Sequence, residues 1–174
     1  DKPGEKIDDT TELKLKGEKL KFVSRGGLKL EKALQAFGIS VKEKVTLDIG
    51  ASTGGFTDVM LQNGASLVYA VDVGTNQLAW KLRQDQRVIS MDFRYASVAD
   101  FEQIPQFASI DVSFISLSLI LPALKEILAE EGQVVALIKP QFEAGREQIG
   151  KNGIVKDKKV HVAVLEKVTS FMVE

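Results

Sequence analysis

The apolar positions change their period near residue 45. Before it, Leu28, Leu30, Ala33, Leu34 and Phe37 recur along one helical face, with Ser24 ahead of them and Gly38 behind, which predicts a helix over 27–37. Further upstream, Glu12-Leu13-Lys14-Leu15-Lys16 alternates and predicts a short strand. After residue 45, short apolar runs alternate with helical patterns. They predict strands over 45–49, 67–71, 87–90, 109–113 and 134–138, and helices over 55–63, 76–83, 119–130 and 158–172. This alternation implies an α/β fold with a mainly parallel sheet and helices on both faces. Ligands of such a Rossmann-like architecture sit beyond the carboxyl ends of the strands. No internal repeat or low-complexity segment interrupts the pattern.

The first strand runs directly into Asp48-Ile49-Gly50-Ala51-Ser52-Thr53-Gly54-Gly55-Phe56-Thr57. Glycines at such a turn let the backbone bend tightly and approach a ligand with no side chain between. A dinucleotide fingerprint requires glycine where Ser52 stands. An acid followed by Gly50-x-Ser52-x-Gly54 instead resembles the loop of S-adenosylmethionine-dependent methyltransferases. Asp72 closes the second strand, 22 residues after Gly50, where a carboxylate accepts two hydrogen bonds from a ribose diol in either cofactor class. Asp92, after the third strand, is placed either to accept from an adenine amino group or to cap a helix over 93–98. The expected cofactor residues are Asp48, Gly50, Ala51, Ser52, Gly54, Gly55, Phe56, Asp72, Val73, Asp92 and Phe93.

Two further strand ends carry candidate chemistry. Asp111-Val112-Ser113-Phe114-Ile115-Ser116-Leu117 follows the fourth strand. Amino-group methyltransferases often carry Asn/Asp-Pro-Pro-aromatic there; Val112 and Ser113 replace both prolines, which argues against an exocyclic nitrogen as acceptor. Lys139-Pro140-Gln141-Phe142-Glu143 follows the fifth strand. A lysine at the end of a buried strand is costly unless paired or functional. Asp111 lies on an expected neighbouring strand, so the two residues form either a structural ion pair or part of a site. Such a pair suits methylation of a hydroxyl. A neutral lysine takes the proton of a ribose hydroxyl, or an ammonium stabilises the developing alkoxide, and the enzyme otherwise supplies in-line placement.

Composition narrows these choices. The chain of 174 residues contains no cysteine and one histidine. Thiolate attack on carbon 5 of a pyrimidine is thereby excluded, as are a disulfide framework, a thiolate zinc site and a two-histidine metal motif; no metal is expected. No run approaches the roughly 18 to 20 apolar residues of a membrane span. The first residues, Asp1-Lys2-Pro3-Gly4-Glu5, are polar and unlike a signal peptide, so a cytoplasmic protein without a membrane partner is expected.

The formal net charge of -1 argues against a nucleic-acid partner until its distribution is read. Between Leu13 and Lys32 seven basic residues face two acidic ones; between Asp85 and Glu131 eight acidic residues face three basic ones. Between Lys139 and Lys167 seven basic residues face four acidic ones. Basic ends around an acidic middle are either solvated surface or a phosphate-binding face. The lone His161 is expected at the surface or as a cap, Trp80 in the core with Leu78 and Leu82, and Lys151-Asn152-Gly153 in a turn.

Ser24-Arg25-Gly26-Gly27-Leu28-Lys29-Leu30, the Asp48–Thr57 loop, Asp111–Leu117 and Lys139–Arg146 together resemble the TlyA/hemolysin A family. This is a branch of FtsJ-like ribosomal RNA methyltransferases that methylates ribose 2′-hydroxyls. The resemblance covers essentially the whole chain. It implies a class I methyltransferase fold, S-adenosylmethionine as cofactor, and ribosomal RNA or ribosomal subunits as partners. FtsJ-like enzymes use a Lys-Asp-Lys-Glu tetrad, which the resemblance places on Lys29, Asp111 and Lys139, with Lys139 the base. Its glutamate follows a later strand; Glu143 and Glu147 do not occupy the matching position.

The resemblance further implies that 1–22 are the remnant of an RNA-binding domain, of the kind found in ribosomal protein S-four, with its linker. On that basis 23–174 are a methyltransferase domain truncated before its last two strands. Lys19, Lys21, Arg25 and Arg146 are the expected RNA contacts. The competing readings are a nicotinamide-dependent oxidoreductase, a membrane-lytic haemolysin and a non-catalytic RNA-binding module.

Overall fold

The computed structural model describes residues 20–74, 77–93 and 98–173. In chain order the elements are α1 (Gly27–Phe37), β1 (Val45–Ile49), α2 (Gly55–Gln62), β2 (Leu67–Asp72), α3 (Trp80–Arg83) and β3 (Val88–Asp92). There follow β4 (Phe107–Ile110), α4 (Leu121–Ile127), β5 (Gln133–Ala136), α5 (Pro140–Glu143) and α6 (Lys158–Val173). The strands form one parallel sheet of order β3-β2-β1-β4-β5. The order reverses between β1 and β4, which opens a crevice at their carboxyl ends.

Side chains alternate across each strand and so build two cores. Val68, Ala70 and Phe107 face Leu30 and Leu34 of α1 and Val59 and Met60 of α2. Val45, Leu47, Ile49, Tyr69, Val71 and Ile110 face Leu124 of α4 and Val164 and Val168 of α6. Helices therefore cover both faces, as the alternating pattern predicts. Phe22 is buried in the first of these cores.

Several boundaries differ from expectation for local reasons. β4 covers Phe107–Ile110 instead of 109–113, because its partner β1 ends where Gly50 turns away at φ 83°. The ladder closes with the Asp111 N–H donating to the Ile49 carbonyl at 2.9 Å, so Asp111 and Ser113 stand on a loop beyond the sheet. β5 likewise ends at Ala136, two residues early, while β3 runs on to Asp92, in register with Asp72. α4 is shorter than 119–130; a 3-10 turn at Leu117–Leu119 precedes it and Leu128 ends it in an extended conformation.

The helix expected over 76–83 is the single turn Trp80–Arg83. Ala79 is extended because its N–H is held by the Thr53 carbonyl at 3.0 Å. Leu78 and Leu82 fill the core, but Trp80, midway between them, is 66% exposed and not a core residue. Within this turn two residues of helix rotate a side chain by about 200°, so Trp80 faces outward while Leu82 faces the core. The strand expected at 12–16, Lys19, and most of the alternative helix over 93–98 lie outside the described residues.

Candidate active site

Two adjoining cavities occupy the crevice. One, of about 410 Å³, is lined by residues including Gly50, Ser52, Asp72, Val73, Phe93 and Phe114. The other, of about 250 Å³, is lined by residues including Ser24, Ala51, Ser52, Gly55, Phe56 and Lys139. Gly50, Ser52, Asp111 and Ser113 line both, so they form the seam between the cavities. Asp72 is tied into the wall of the larger one: the Ser52 N–H donates to Oδ2 and the Val73 N–H to Oδ1, the latter at 2.7 Å. Asp92 stands level with Asp72 on the adjacent strand, immediately before Phe93.

At the seam, Lys139 Nζ lies 2.6 Å from Asp111 Oδ1 and donates to Ser113 Oγ at 3.0 Å. Lys29 Nζ lies 3.6 Å from the other carboxylate oxygen of Asp111. Three chain segments meet there: α1 and the loops after β4 and β5. α1 reaches this position because its first residue is Gly27, where a Cβ would stand 2.9 Å from the Gly55 carbonyl oxygen and as close to Phe22. Lys139 thus stands three residues beyond the half-buried edge strand β5, and it is paired there.

Asp48 lies beneath the glycine loop rather than facing the cavities. It is fully buried, and it accepts hydrogen bonds from Thr57 Oγ1 at 2.7 Å and Ser109 Oγ at 3.1 Å. The acid anchors the first turn of α2 to β1 and β4. Burial pushes its carboxyl up from 3.8 to about 6, with the hydroxyl hydrogen bonds opposing and the nearby Asp111 charge adding to the rise. Gly54 is also removed from the cavities, packed under Leu78 and Leu82.

The raised Asp48 pKa gives a pH prediction. The folded state binds its proton more tightly than the unfolded chain, so Asp48 causes stability to fall as pH rises from about 4 to about 6. Asp48→Asn removes that titration. Relative to wild type, the variant should gain about 3 kcal/mol between pH 3.5 and pH 7. Urea unfolding of both proteins across that range measures it; a stability difference independent of pH refutes the buried, shifted carboxyl.

Sequence reasoning set Glu143 aside, and the structure gives it a different part. It is buried on α5, accepts from Ser116 Oγ at 2.6 Å and the Leu117 N–H at 2.8 Å, and so clamps the loop after β4 to the turn after β5. Lys167 of α6 donates to its main-chain carbonyl at 3.2 Å. Phe114 stands on the same loop after β4. It is 90% exposed, holds a positive φ of 65°, and packs on Phe142 with ring centroids 5.1 Å apart. A bulky residue held in the left-handed region is strained, and such strain clusters at functional sites. Buried Glu positions and positive-φ aromatics leave no periodic signal, so neither could be read from spacing.

Of the expected RNA contacts, Arg25 stands exposed one turn before Lys29. Lys21 is exposed but ion-paired with Glu31, and its ammonium lies over the Phe22 ring. Arg146 is exposed in a 3-10 turn after α5. His161, on the first turn of α6, bonds the Val155 carbonyl through Nε2 at 2.7 Å. Lys151–Gly153 forms a tight 3-10 turn, with Asn152 at φ 67°. Among the described residues no helix is long and apolar enough to cross a membrane.

The chain matches the model of the FtsJ-like methyltransferase family over residues 22–174. It is 63% identical over 175 residues to YqxC of Bacillus subtilis, named as a candidate rRNA methyltransferase, covering 98% of this chain and 62% of that protein. It is 45% identical over 160 residues to the 16S/23S rRNA (cytidine-2′-O)-methyltransferase TlyA of Mycobacterium tuberculosis, covering 90% of this chain and 60% of that protein. A solved structure of a Streptococcus thermophilus protein, described as a candidate hemolysin, superposes with a TM-score of 0.86 at 75% identity. That match covers 98% of this chain and 63% of the other. The chain spans under two thirds of the length of each of these three relatives.

Proposed function

Because this chain belongs to the FtsJ-like methyltransferase family, we propose that it methylates ribose 2′-hydroxyls of ribosomal RNA with S-adenosylmethionine as donor. The observation that carries the reading is the Lys29–Asp111–Lys139 cluster, whose Asp111 lies on the seam between two cavities. The printed name of the Mycobacterium tuberculosis relative supports the acceptor hydroxyl.

The residues fit the donor. The larger cavity has a carboxylate, Asp72, for a ribose diol, and apolar Val73, Phe93 and Ile120 beside it for a nucleobase. Gly50 lets the loop after β4 close directly against the glycine loop, where a Cβ would stand 2.6 Å from the Asp111 carbonyl oxygen. S-adenosylmethionine, when bound, supplies the electrophilic methyl group. The smaller cavity then takes the acceptor ribose. Lys139, in its neutral form, accepts the hydroxyl proton at Nζ, while Asp111 and Ser113 hold that nitrogen in place. Lys29 balances the second oxygen of Asp111. Phe114, exposed at the mouth of the larger cavity, offers its ring to the base of the acceptor nucleotide.

The same reading assigns 23–174 to a methyltransferase domain and 1–22 to the remnant of an N-terminal RNA-binding domain with its linker, whose Phe22 packs on the methyltransferase core. It seats the fourth member of the tetrad, a glutamate, beyond β5, whose outer edge carries no strand among the described residues. A ribosomal RNA substrate places the protein in the cytoplasm.

Methyl-labelled S-adenosylmethionine incubated with the protein and ribosomal RNA tests this directly. After complete digestion the label should run with 2′-O-methylnucleosides. Label confined to methylated bases, or no transfer to RNA, overturns the reading.

A further inference from the structure

Trp80 projects from a one-turn helix that is fastened to the rim of the smaller cavity. The residue before it, Ala79, donates to the carbonyl of Thr53, which lines that cavity. The indole is 66% exposed, and the Arg83 guanidinium lies 5.1 Å from its ring centroid. The outward positions of α3 are Trp80, Lys81 and Arg83: an aromatic and two cations, with no acid among them. Lys81 pairs with Asp58 at 2.9 Å, but that carboxylate is only 5% exposed, so it presents no negative surface. Asp58 also receives the Val23 N–H at 2.8 Å, and Gln62 ties it to the Lys21 carbonyl. The basic edge of α3 is thereby joined to the segment that leads through Lys21 and Arg25 to Lys29.

We propose that the Trp80–Arg83 pair is a stacking platform for an unpaired nucleobase of the RNA, outside the reacting pocket. The proposal rests on the RNA-methylating reading of the seam. Unpaired bases stack on aromatic rings and guanidinium planes, and neighbouring cations hold the phosphates between them. Here the guanidinium already lies within cation–π distance of the ring, so the two groups are placed together before binding. The platform sets where the strand runs beside the cavity, not the chemistry inside it.

Trp80 is the only tryptophan in the chain, so its emission reports this position alone. Purified ribosomal RNA and a short single-stranded oligocytidylate should each quench it on titration. S-adenosylmethionine alone should leave it unchanged, since Trp80 lines neither cavity. Trp80→Ala should raise KM for ribosomal RNA roughly tenfold with little change in kcat, and Trp80→Phe should restore most of the loss. Emission unchanged at RNA concentrations that saturate methylation, or a wild-type KM in Trp80→Ala, overturns the platform and leaves the methylation reading standing. Quenching by RNA in a protein that transfers no methyl group supports the platform and removes the other.

Discussion

Lys139→Ala should lower methyl transfer to ribosomal RNA roughly a thousandfold while S-adenosylmethionine binds with near-wild-type affinity. General-base assistance contributes about 10² to 10⁴ in rate, and here no other described basic nitrogen lies as close to Asp111. Removing it also frees Asp111 Oδ1 and Ser113 Oγ, which turns a placed donor into a pocket for water. The donor site is largely spared, because Lys139 lines the smaller cavity and not the larger. Lys29→Ala should cost far less, about tenfold, since its ammonium is 3.6 Å from Asp111 and its side chain is 55% exposed. Calorimetric binding of the cofactor, alongside single-turnover transfer, separates the two effects. Full activity in Lys139→Ala refutes proton transfer to this lysine, though the family assignment stands.

Gly50→Ala should abolish cofactor binding and destabilise the fold by about 2–5 kcal/mol. The added Cβ would stand 2.6 Å from the Asp111 carbonyl oxygen and 2.9 Å from its carbon, both main-chain atoms that cannot rotate aside. Positive φ adds about 1–2 kcal/mol, and forcing apart packed backbone adds about 1–3 kcal/mol. The relief available is to push the loop after β4 outward, which carries Asp111 and Ser113 away from Lys139. A fall in melting temperature together with lost cofactor affinity is the expected result. A variant that melts and binds as wild type does would show that the two loops are not in contact.

Most of the architecture was legible because the central strands β1, β2 and β4, buried on both faces, read as short apolar runs, and α1, α2 and α6 keep one apolar stripe each. The glycine loop and the acid–lysine pair were legible for a different reason. Charged and glycine-rich stretches placed at strand ends have few structural explanations. What failed was decided by contacts distant in sequence. The Thr53 carbonyl shortens α3 and leaves Trp80 in solvent, where its neighbours Leu78 and Leu82 suggested core. Where β4 ends depends on the turn at Gly50, 61 residues before Asp111. Asp48 looked like a ligand because it precedes the loop, but strand alternation puts it under the sheet end, against Thr57 and Ser109.

The Glu143 clamp has a thermodynamic consequence for the site. One buried carboxylate supplies partners to Ser116 and Leu117 on one loop while belonging to the turn that begins after Lys139. Opening either loop strands that carboxylate without its donors, a penalty of about 1–3 kcal/mol that closing the other loop cannot recover. The two loops therefore open and close as one cooperative unit. Asp111 and Lys139 are therefore coupled in their placement, and a half-formed site is disfavoured by about that penalty.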